Sequence, residues 1–280
     1  MSEPNVRPVP SRRFTPGRIL AFILIVAGVF IYDGNRKQPE PANSGASFNG
    51  QPATSQPTAV LRVATFNMAG GVGGEDNHLN LNRTAAAITG YDLVGLQEVH
   101  GRTLLNGKDE AEILGDSLKL PWLFAPVESR WWHPDFGNGA VTDLSVLHWE
   151  TIPISSAISD TNRNMLLFRV KFQNAPVNVI VTHLDRHADH DAELKIVLNL
   201  FESLEKPAIV LADLNTEPTY VQREKLIKMS NEIGIPFTEK TAGLDWILTR
   251  GMHATNWGET DNGASDHKLV WADLVLDPQK

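Results

Sequence analysis

The sequence predicts an α/β chain in which β-sheets pack against each other and are covered by helices. From Ala59 onward, eight short runs rich in Val, Leu, Ile and aromatic residues alternate with four stretches of helical character. Turn residues bound the short runs, as is typical of strands. Because strands outnumber helices, stacked sheets with helical covers are favoured over a parallel doubly wound sheet.

Each predicted element rests on its own pattern. The predicted strands are AVLRVATFN (59–67), YDLVGLQEV (91–99), GAVTDLSVLHW (139–149), NMLLFRVKF (164–172), VNVIVTHL (177–184), PAIVLADLN (207–215), LDWILT (244–249) and KLVWADLVL (268–276). The predicted helices are NLNRTAAAIT (80–89), DEAEILGDSLK (109–119), DAELKIVLNLFESLE (191–205) and TYVQREKLIKMSNEIG (219–234). In the third helix, apolar residues recur three and four positions apart, so they form one stripe that a core can bury.

Length and composition bound the fold further. The 280 residues are 42% hydrophobic, which is enough for a full-sized core in one large domain or two small ones. The chain has no cysteine. Disulfides, thiolate zinc sites and cysteine nucleophiles are therefore excluded.

An apolar segment near the N-terminus separates a basic tail from the rest of the chain. Residues 19–32 form an uncharged run of 14, and four arginines precede it. The run is short for a membrane span and close in length to a signal-peptide core. We interpret it as an uncleaved transmembrane anchor, because no small-residue cleavage site follows it closely. A cleaved signal peptide and a buried core helix are the alternatives.

The segments then follow in a simple order. Residues 1–18 are a basic N-terminal segment, 19–32 the anchor or signal-peptide core, 33–58 a disordered Pro-, Ser- and Gln-rich linker, and 59–280 the folded domain. The positive-inside bias keeps the arginines in the cytoplasm. We expect a single-pass membrane protein with its domain outside the cytoplasm, or a secreted or periplasmic protein if the signal is cleaved.

The charge of the domain argues against a dedicated duplex-DNA binder. Residues 1–58 hold six of the 25 Lys and Arg and three of the 33 Asp and Glu, which leaves 59–280 with 19 basic and 30 acidic residues, a net charge of −11. Proteins that grip long nucleic acids normally have the opposite balance, because neutralised phosphates supply most of their affinity.

Polar residues at strand ends form a pattern that core packing would not produce. Residues suited to metal or phosphate chemistry end one strand after another: Asn67, Glu98, His183, Asp213, Asn215, Asp266 and His267. Each motif alone also fits an ordinary turn or helix cap. However, a lone carboxylate such as Glu98 in an apolar strand favours a cation partner, because burying it unpaired is expensive.

These and two further motifs occur in a diagnostic order. They are TFN at Asn67, LQEV at Glu98, GNGA at Asn138, VTHL at His183, ADLN at Asp213 and Asn215, GLDWIL at Asp245, and ASDH at Asp266 and His267. The ordered set, spanning about residues 60–276, resembles the endonuclease/exonuclease/phosphatase superfamily, whose members include pancreatic deoxyribonuclease, abasic-site endonucleases, sphingomyelinases and inositol-polyphosphate phosphatases. Ala212 stands where the family usually has glycine, and the residues after GNGA match the family's usual segment only loosely.

The resemblance implies a fold and a metal site. The fold is a four-layer α/β/β/α sandwich of two mostly antiparallel sheets flanked by helices, here preceded by an N-terminal hydrophobic helix, with 59–280 as the catalytic domain. Glu98 is implied as the principal ligand of one or two Mg²⁺ or Mn²⁺ ions, with Asn67 and Asp266 lining the same site. Such hard cations suit oxygen ligands.

It also implies catalytic roles. His267 would take or position the proton of the attacking water, and Asp245 would hold its other ring nitrogen. Asp213 and Asn215 would orient the nucleophile and the phosphate, and His183 would stabilise phosphoryl charge or assist the leaving group. The residues implied to bind substrate are Asn67, Asn138, His183 and Asn215.

The function implied is metal-dependent, in-line hydrolysis of a phosphate ester by a phosphodiesterase. A nuclease acting on DNA or RNA is the alternative, and a non-catalytic domain of the same fold is a third. The acidic domain favours a small or lipid-linked substrate. We expect a monomer that contacts a membrane through its N-terminal segment. No Walker-type phosphate loop and no G-x-S-x-G motif occur in the sequence.

Three stretches outside these motifs allow two interpretations each. His183, His187 and His190 have the spacing of a three-histidine zinc site, but a helix start is favoured for the latter two. Trp131 and Trp132 lie in a loop-like stretch, where they either contact a ligand or lipid or fill an edge of the sandwich. The glycine-rich segment 70–80 lacks nucleotide-binding spacing and is interpreted as a loop at the rim of the site.

Overall fold

The computed structural model describes most of the chain. It covers residues 16–35, 37–50, 59–103, 107–129, 133–154, 161–187, 189–216, 223–232, 244–261 and 263–278. Trp131 and Trp132, and with them the interpretation of the aromatic loop, lie outside these residues.

Helices and strands alternate through the described part of the chain. The helices are α1 (Pro16–Asn35), α2 (Leu81–Ile88), α3 (Glu110–Leu118), α4 (His190–Ser203) and α5 (Arg223–Glu232), and a 3₁₀ turn spans Ala69–Gly71. The strands are β1 (Gln38–Pro39), β2 (Ser44–Gly45), β3 (Leu61–Asn67), β4 (Leu93–His100), β5 (Trp122–Ser129), β6 (Phe136–Thr142), β7 (Ser145–Ile154), β8 (Arg163–Phe172), β9 (Ala175–His183), β10 (Ala208–Asp213), β11 (Asp245–Arg250), β12 (Met252–Thr260) and β13 (Leu269–Leu276).

The strands form two sheets. One has seven strands in the order β1-β5-β6-β4-β3-β13-β12, and the other has six in the order β11-β10-β9-β8-β7-β2. Each sheet contains one parallel pair, β3 with β4 and β9 with β10, and the remaining pairs of described strands are antiparallel. The prediction of two mostly antiparallel sheets is therefore confirmed.

The side chains of the central strands alternate between two buried layers. In β3, Val63 belongs to the core between the sheets, while Ala64 and Phe66 belong to a second core with Ile88 of α2 and Leu114 of α3. The cluster that contains Val63 continues to the apolar residues of α4, which packs on β10 of the second sheet. Strand side chains point to opposite faces in turn, so the helices cover both outer faces. The four-layer α/β/β/α sandwich is confirmed.

Part of the predicted linker belongs to the sandwich. β1 pairs with β5, and β2 pairs with β7. Phe48 is 8% exposed, and its ring centroid lies 5.0 Å from that of Phe168. Backbone pairing with two strands and one buried aromatic ring hold residues 37–50 in place. The prediction of a disordered linker over 33–58 is corrected for these residues.

The predicted N-terminal helix is present as α1. The side chains of residues 16–32 are exposed, so the interpretation as a buried core helix is wrong. Among the described residues, no helix combines the length and the apolar character needed to cross a membrane. The predicted transmembrane anchor is thus not supported.

A buried carboxyl at the start of α3 predicts a pH-dependent stability. Glu110 is 7% exposed, and its Oε2 accepts a hydrogen bond from the His100 amide at 2.8 Å. Burial raises the pKa of Glu110 to about 7, and the charge of Asp109 adds to this effect. The ordinary pKa of this side chain is 4.5, so the folded state favours protonated Glu110 and ionisation opposes folding. The stability that protonated Glu110 contributes is fully present below about pH 4.5 and is lost as the pH rises to about 7.

We expect Glu110→Gln to remove this pH dependence. At pH values well above 7 the free energy of unfolding of the variant should exceed that of the wild type by about 1–3 kcal/mol. Near the ordinary pKa of glutamate the two free energies should match. Urea unfolding across this pH range measures the difference. Glu112→Gln on the same helix is the matched control. Equal curves for the wild type and Glu110→Gln would contradict the prediction.

Candidate active site

The candidate site lies where the central strands of both sheets end. Asn67, His183 and Asp213 are the last residues of β3, β9 and β10, and Asp245 is the first residue of β11. Asp213 faces His183 in the parallel ladder and Asp245 in the antiparallel one. Parallel strands bring their carboxyl ends to the same edge, and an antiparallel neighbour begins there. Strand order therefore gathers these polar residues at one edge of the sandwich.

Glu98 reaches this edge through a β-bulge. The ladder between β4 and β6 shifts register between Leu96 and Val99, and Glu98 has a φ of 55°. Leu96 and Val99 both point into the helix-covered core, so Glu98 is displaced from the regular alternation. Bulges re-aim side chains in this way and occur often beside active sites. Gly137 of β6 is required opposite the bulge, because a Cβ there would lie 2.3 Å from the Ala125 carbonyl oxygen.

Asn67 joins the two sheets at the site. Its Nδ2 donates to Glu98 Oε1 at 3.1 Å and to Asp213 Oδ2 at 3.0 Å. Its Oδ1 accepts from the Ala69 amide at 3.1 Å, which fixes the orientation of the carboxamide. Asn67 is 1% exposed. One buried amide therefore sets the relative positions of two carboxylates that come from different sheets.

Asp213 is the centre of the group. Its Oδ1 accepts from the Asn215 amide at 2.9 Å, and its Oδ2 lies 3.5 Å from His183 Nε2 and 4.0 Å from His267 Nδ1. Burial raises the pKa of Asp213 to about 7, and the charge of Asp245 adds to the shift. The site therefore holds more negative charge than its own donors compensate.

His267 forms an ion pair with Asp245. Its Nδ1 donates to Asp245 Oδ2 at 2.8 Å. Burial opposes protonation, but the bond to Asp245 and the charges of Asp245, Asp213 and Asp266 outweigh it and raise the pKa of His267 to about 9. Burial likewise raises the pKa of Asp245, although the bond to His267 counteracts it. The other oxygen, Asp245 Oδ1, is buried and has no hydrogen-bond partner among the described residues.

Asp266 lies on the exposed side of this group. The Ser265 hydroxyl donates to the Asn67 carbonyl at 2.7 Å and lies 3.2 Å from Asp266 Oδ1. The charges of Asp266 and Glu98 both contribute to raising the pKa of Asp245, after burial as the main cause. The residues assigned to the metal from sequence therefore share one electrostatic environment with those assigned to catalysis.

The glycine-rich segment 70–80 borders this part of the site. A Cβ on Gly74 would come within 2.8 Å of Asp266 Cα and 2.7 Å of the Ser265 carbonyl oxygen, so the two backbones are in close contact. Arg83 fastens the segment through two bonds to the Asp76 carboxylate, at 2.8 and 3.0 Å. The structure thus places this loop at the rim of the site.

His183 and Asn215 form the other side of the site. Asn215 has a φ of 45°, and its Nδ2 donates to the Leu184 carbonyl at 2.8 Å and to His183 Nε2 at 3.1 Å. Because Nε2 accepts, the proton of the neutral ring lies on Nδ1. Burial lowers the pKa of His183, and the charges of Arg163, His267 and Arg186 add to this. His183 is therefore neutral, and its buried Nδ1 has no hydrogen-bond partner among the described residues.

Asn138 lies beside the site but has a different set of contacts. It is 1% exposed, and its Nδ2 donates to the Oδ1 of Asn164 at 2.8 Å and to the carbonyl of the same residue at 3.2 Å. These bonds link β6 to β8 across the core. Among the described residues, Asn138 makes no hydrogen bond to another predicted site residue. Its Oδ1 is buried without a partner there.

The structure adds three polar residues that the sequence motifs did not indicate. Gln97 is fully buried, accepts from the Thr65 hydroxyl at 3.2 Å and donates to the Leu211 carbonyl at 3.3 Å, which joins the sheets below the site. Arg186 Nε donates to Asn215 Oδ1 at 3.4 Å and brings a cation to the His183 side. Asn164 supports Asn138. For Gln97 and Asn164 the available signal was a polar residue inside an apolar strand, as in LQEV and NMLLF, whereas Arg186 follows the end of β9.

The three-histidine zinc interpretation is wrong. His183 Nε2 is bonded to Asn215, and His190 Nε2 lies 2.9 Å from the Leu214 carbonyl oxygen. Within the described part of the chain, the residues whose ligand atoms cluster as a metal would require are Asp213, Asp245 and His267.

The donor set fits a hard divalent cation. In the cluster of Asp213, Asp245 and His267, the ligand atoms lie within 4.8 Å of one another. Asp245 Oδ1 has no hydrogen-bond partner among the described residues, and burial raises the pKa of Asp213 and Asp245, so a nearby cation would favour their ionised forms. Oxygen-rich sites of this kind suit Mg²⁺ or Mn²⁺.

Solved structures share this fold. An endonuclease/exonuclease/phosphatase from Beutenbergia cavernae is 21% identical, with a TM-score of 0.61 over 78% of this chain and 72% of that one. D. rerio TDP2 complexed with a single-strand DNA product is 16% identical, with a TM-score of 0.57 over 78% and 99%. The human nocturnin catalytic domain with a bound sulfate is 19% identical, with a TM-score of 0.57 over 83% and 98%. At these identities the likeness concerns the fold alone.

Sequence comparison gives the family. No curated protein matches the chain significantly over its sequence. The profile of the endonuclease/exonuclease/phosphatase family, however, matches residues 64–276, which is more than half of the chain and includes each of the strand-end motifs. The chain therefore belongs to the endonuclease/exonuclease/phosphatase family.

Proposed function

We propose that the chain is a divalent-metal-dependent hydrolase of phosphate esters, and more specifically a phosphodiesterase. The observation that carries the proposal is the continuous polar network at one edge of the sandwich. In it Asn67 bridges Glu98 and Asp213, while Asp245 pairs with His267. Cleavage of a phosphodiester needs a cation, hydrogen-bond donors and a base within reach of one phosphate. This edge supplies carboxylates that could hold the cation, hydrogen-bond donors, and a histidine that could act as the base.

The carboxylates are proposed to hold the cation. Glu98, with Asn67 and Asp266, is one candidate ligand set, and the carboxylates of Asp213 and Asp245, which cluster beside His267, are another. One or two Mg²⁺ or Mn²⁺ ions would supply Lewis-acid stabilisation of the charge that develops on the phosphoryl oxygens. Raised pKa values of Asp213 and Asp245, caused first by burial, support a site that needs positive charge.

His267 is proposed to take the proton from the attacking water. Asp245 bonds Nδ1 at 2.8 Å, which orients the ring and leaves Nε2 for the water. The neutral imidazole that a base requires is favoured once a cation shares the carboxylate charge that raises the pKa of His267. Asp213, next to both groups, would orient the nucleophile.

The opposite side of the site is proposed to bind the phosphate and the leaving group. His183 has a neutral ring, and because its Nδ1 is buried it would act on the phosphate through Asn215, to which its Nε2 is bonded. Asn215 keeps that ring in place, and Arg186 adds a positive charge beside it. Asn67, whose two amide protons are bonded to Glu98 and Asp213, would act by keeping these carboxylates in place, and Asn138 would act from behind the Glu98 bulge.

The substrate class is proposed from charge. The net charge of −11 over residues 59–280 repels polyanions, so we favour a small or lipid-linked phosphodiester. Nucleic acid is the second candidate, because a structural neighbour was solved with a single-strand DNA product. A short single strand needs fewer phosphate contacts than a long duplex does. The acidic surface therefore opposes its binding less.

An assay on the full chain tests the proposal. Bis(p-nitrophenyl) phosphate, p-nitrophenyl phosphate, sphingomyelin, RNA and plasmid DNA are each supplied with Mg²⁺, with Mn²⁺ or with EDTA. We expect cleavage of a diester with metal, and a loss of about 10²-fold or more of the rate in EDTA that added metal restores. Rates that chelation leaves unchanged would contradict metal dependence. Failure to cleave any phosphoester would instead indicate a non-catalytic domain.

A further inference from the structure

His190 is buried directly beneath the residues proposed for catalysis. It is the first residue of α4, and its side chain is 0% exposed. Its Nε2 lies 2.9 Å from the carbonyl oxygen of Leu214. A carbonyl oxygen only accepts hydrogen bonds, so Nε2 carries a proton and donates it. The other ring nitrogen, Nδ1, lies 3.1 Å from Asp191 Oδ1, a contact that is a hydrogen bond when Nδ1 also carries a proton.

The carbonyl that His190 contacts stands between two site residues. Leu214 follows Asp213 and precedes Asn215. Its carbonyl accepts a second bond, at 3.0 Å, from the hydroxyl of Thr216, and its amide donates to the Leu244 carbonyl at 2.8 Å. Two peptide units join Asp213 to Asn215 through Leu214, and each is held by its own partners, the first at the Leu214 amide and the second at the Leu214 carbonyl.

The peptide between Leu214 and Asn215 needs such support because the backbone of Asn215 is strained. Asn215 has a φ of 45°, in the left-handed region that costs a non-glycine residue about 1 kcal/mol or more. A conformation of this kind persists only where its surroundings enforce it. In return, the Asn215 amide reaches Asp213 Oδ1 at 2.9 Å and its side chain reaches His183 at 3.1 Å.

We propose that His190 is a positioning residue of the site. Through the Leu214 carbonyl it holds the backbone turn that sets Asp213 and Asn215 against His183. It lies outside the reacting group, because its Nε2 is already bonded to the backbone. The inference deepens the proposed function and rests on it. Of the three spaced histidines, His183 is part of the site, His190 supports it, and His187 is exposed.

Kinetics on the full chain test this role. His190→Ala is expected to lower kcat for a phosphodiester with Mg²⁺ by about 10²-fold, because small misplacement of catalytic groups has effects of that size. KM should stay within about threefold, since the phosphate-binding groups remain present. His190→Gln, whose amide can donate to the same carbonyl, should regain about tenfold. His187→Ala, in the same segment but exposed, is the matched control and should match the wild type.

Amide hydrogen exchange of residues 208–216 gives a readout that does not depend on activity. His190→Ala should accelerate exchange at Leu214 and Asn215, while the strand amides from 208 to 212 stay protected. Unchanged kcat and unchanged exchange in His190→Ala would overturn the proposal. A loss of activity that only follows the unfolded fraction in thermal melts would overturn it as well. If the wild type cleaves no phosphoester, the proposed function fails, and the exchange result alone decides whether His190 holds the turn.

Discussion

Replacing His267 by alanine should lower kcat for phosphodiester hydrolysis by about 10³-fold, in the middle of the range attributed to general acid–base groups. The physical reason is the pairing of His267 Nδ1 with Asp245 Oδ2 at 2.8 Å, which aims the free nitrogen away from that carboxylate. Alanine removes the base but leaves Glu98 and Asn67 in place. Steady-state kinetics with saturating Mg²⁺ measure the loss, and added imidazole should restore part of the rate.

Two further variants make the result specific. Asp245→Asn should lower kcat by about 10²-fold, because an amide orients the ring but does not supply negative charge. His253→Ala is the matched control, since His253 is also paired with an acid, Asp277 at 2.7 Å, but lies in β12 outside the site. It should retain wild-type kcat. A His267→Ala variant with more than a tenth of wild-type activity would rule out His267 as the base.

The core of the fold was predictable because its strands carry dense local signals. β10 is a run of apolar residues fully buried on both faces, and β9 is nearly so. Such runs need no long-range information. β12 was missed because it is an edge strand, where exposed residues such as Thr255 and Asn256 are tolerated. β5 was missed because Pro126 and Glu128 interrupt its apolar pattern.

The site was predictable to the extent that it follows strand order. His183 and Asp213 end neighbouring parallel strands of one sheet and Asn67 ends a strand of the other, so their places at strand ends grouped them without coordinates. The bulge at Glu98 could not, because it depends on the pairing of β4 with glycines of β6 more than 35 positions away. The hydrogen bonds of Asn138 to Asn164 could not be predicted either, since an asparagine in a strand does not specify which sheet its partner occupies.

The charge at Asp213 leads to a second large effect. Asp213→Asn should reduce kcat by about 10³-fold and at the same time stabilise the metal-free fold. Burial raises the pKa of Asp213 to about 7, from an ordinary value of 3.8. The folded state therefore prefers the protonated acid, and ionisation destabilises it as the pH rises from about 4 to about 7. Asparagine stays neutral throughout and keeps one acceptor oxygen, so it can still accept from either Asn67 or the Asn215 amide.

Thermal unfolding in EDTA above pH 7 measures the stabilisation. We expect the Tm of Asp213→Asn to exceed that of the wild type by about 3 °C, and the difference to vanish near the ordinary pKa of aspartate. Asp277→Asn, which removes a charge from an exposed pair, should show no such gain. A lower Tm for Asp213→Asn above pH 7 would contradict the charge argument.

Adding metal then distinguishes a site that binds a cation from a cluster of acidic residues that does not. A cation that binds only the folded state raises Tm by an amount that grows with the logarithm of its concentration relative to its Kd. Because the wild type holds under-compensated carboxylates, Mg²⁺ should raise its Tm by several degrees and should raise that of Asp213→Asn by less. The two curves should therefore approach each other as metal is added. Equal shifts in both proteins would show that Asp213 neither binds the cation nor senses its charge, and the candidate ligand cluster would have to be given up.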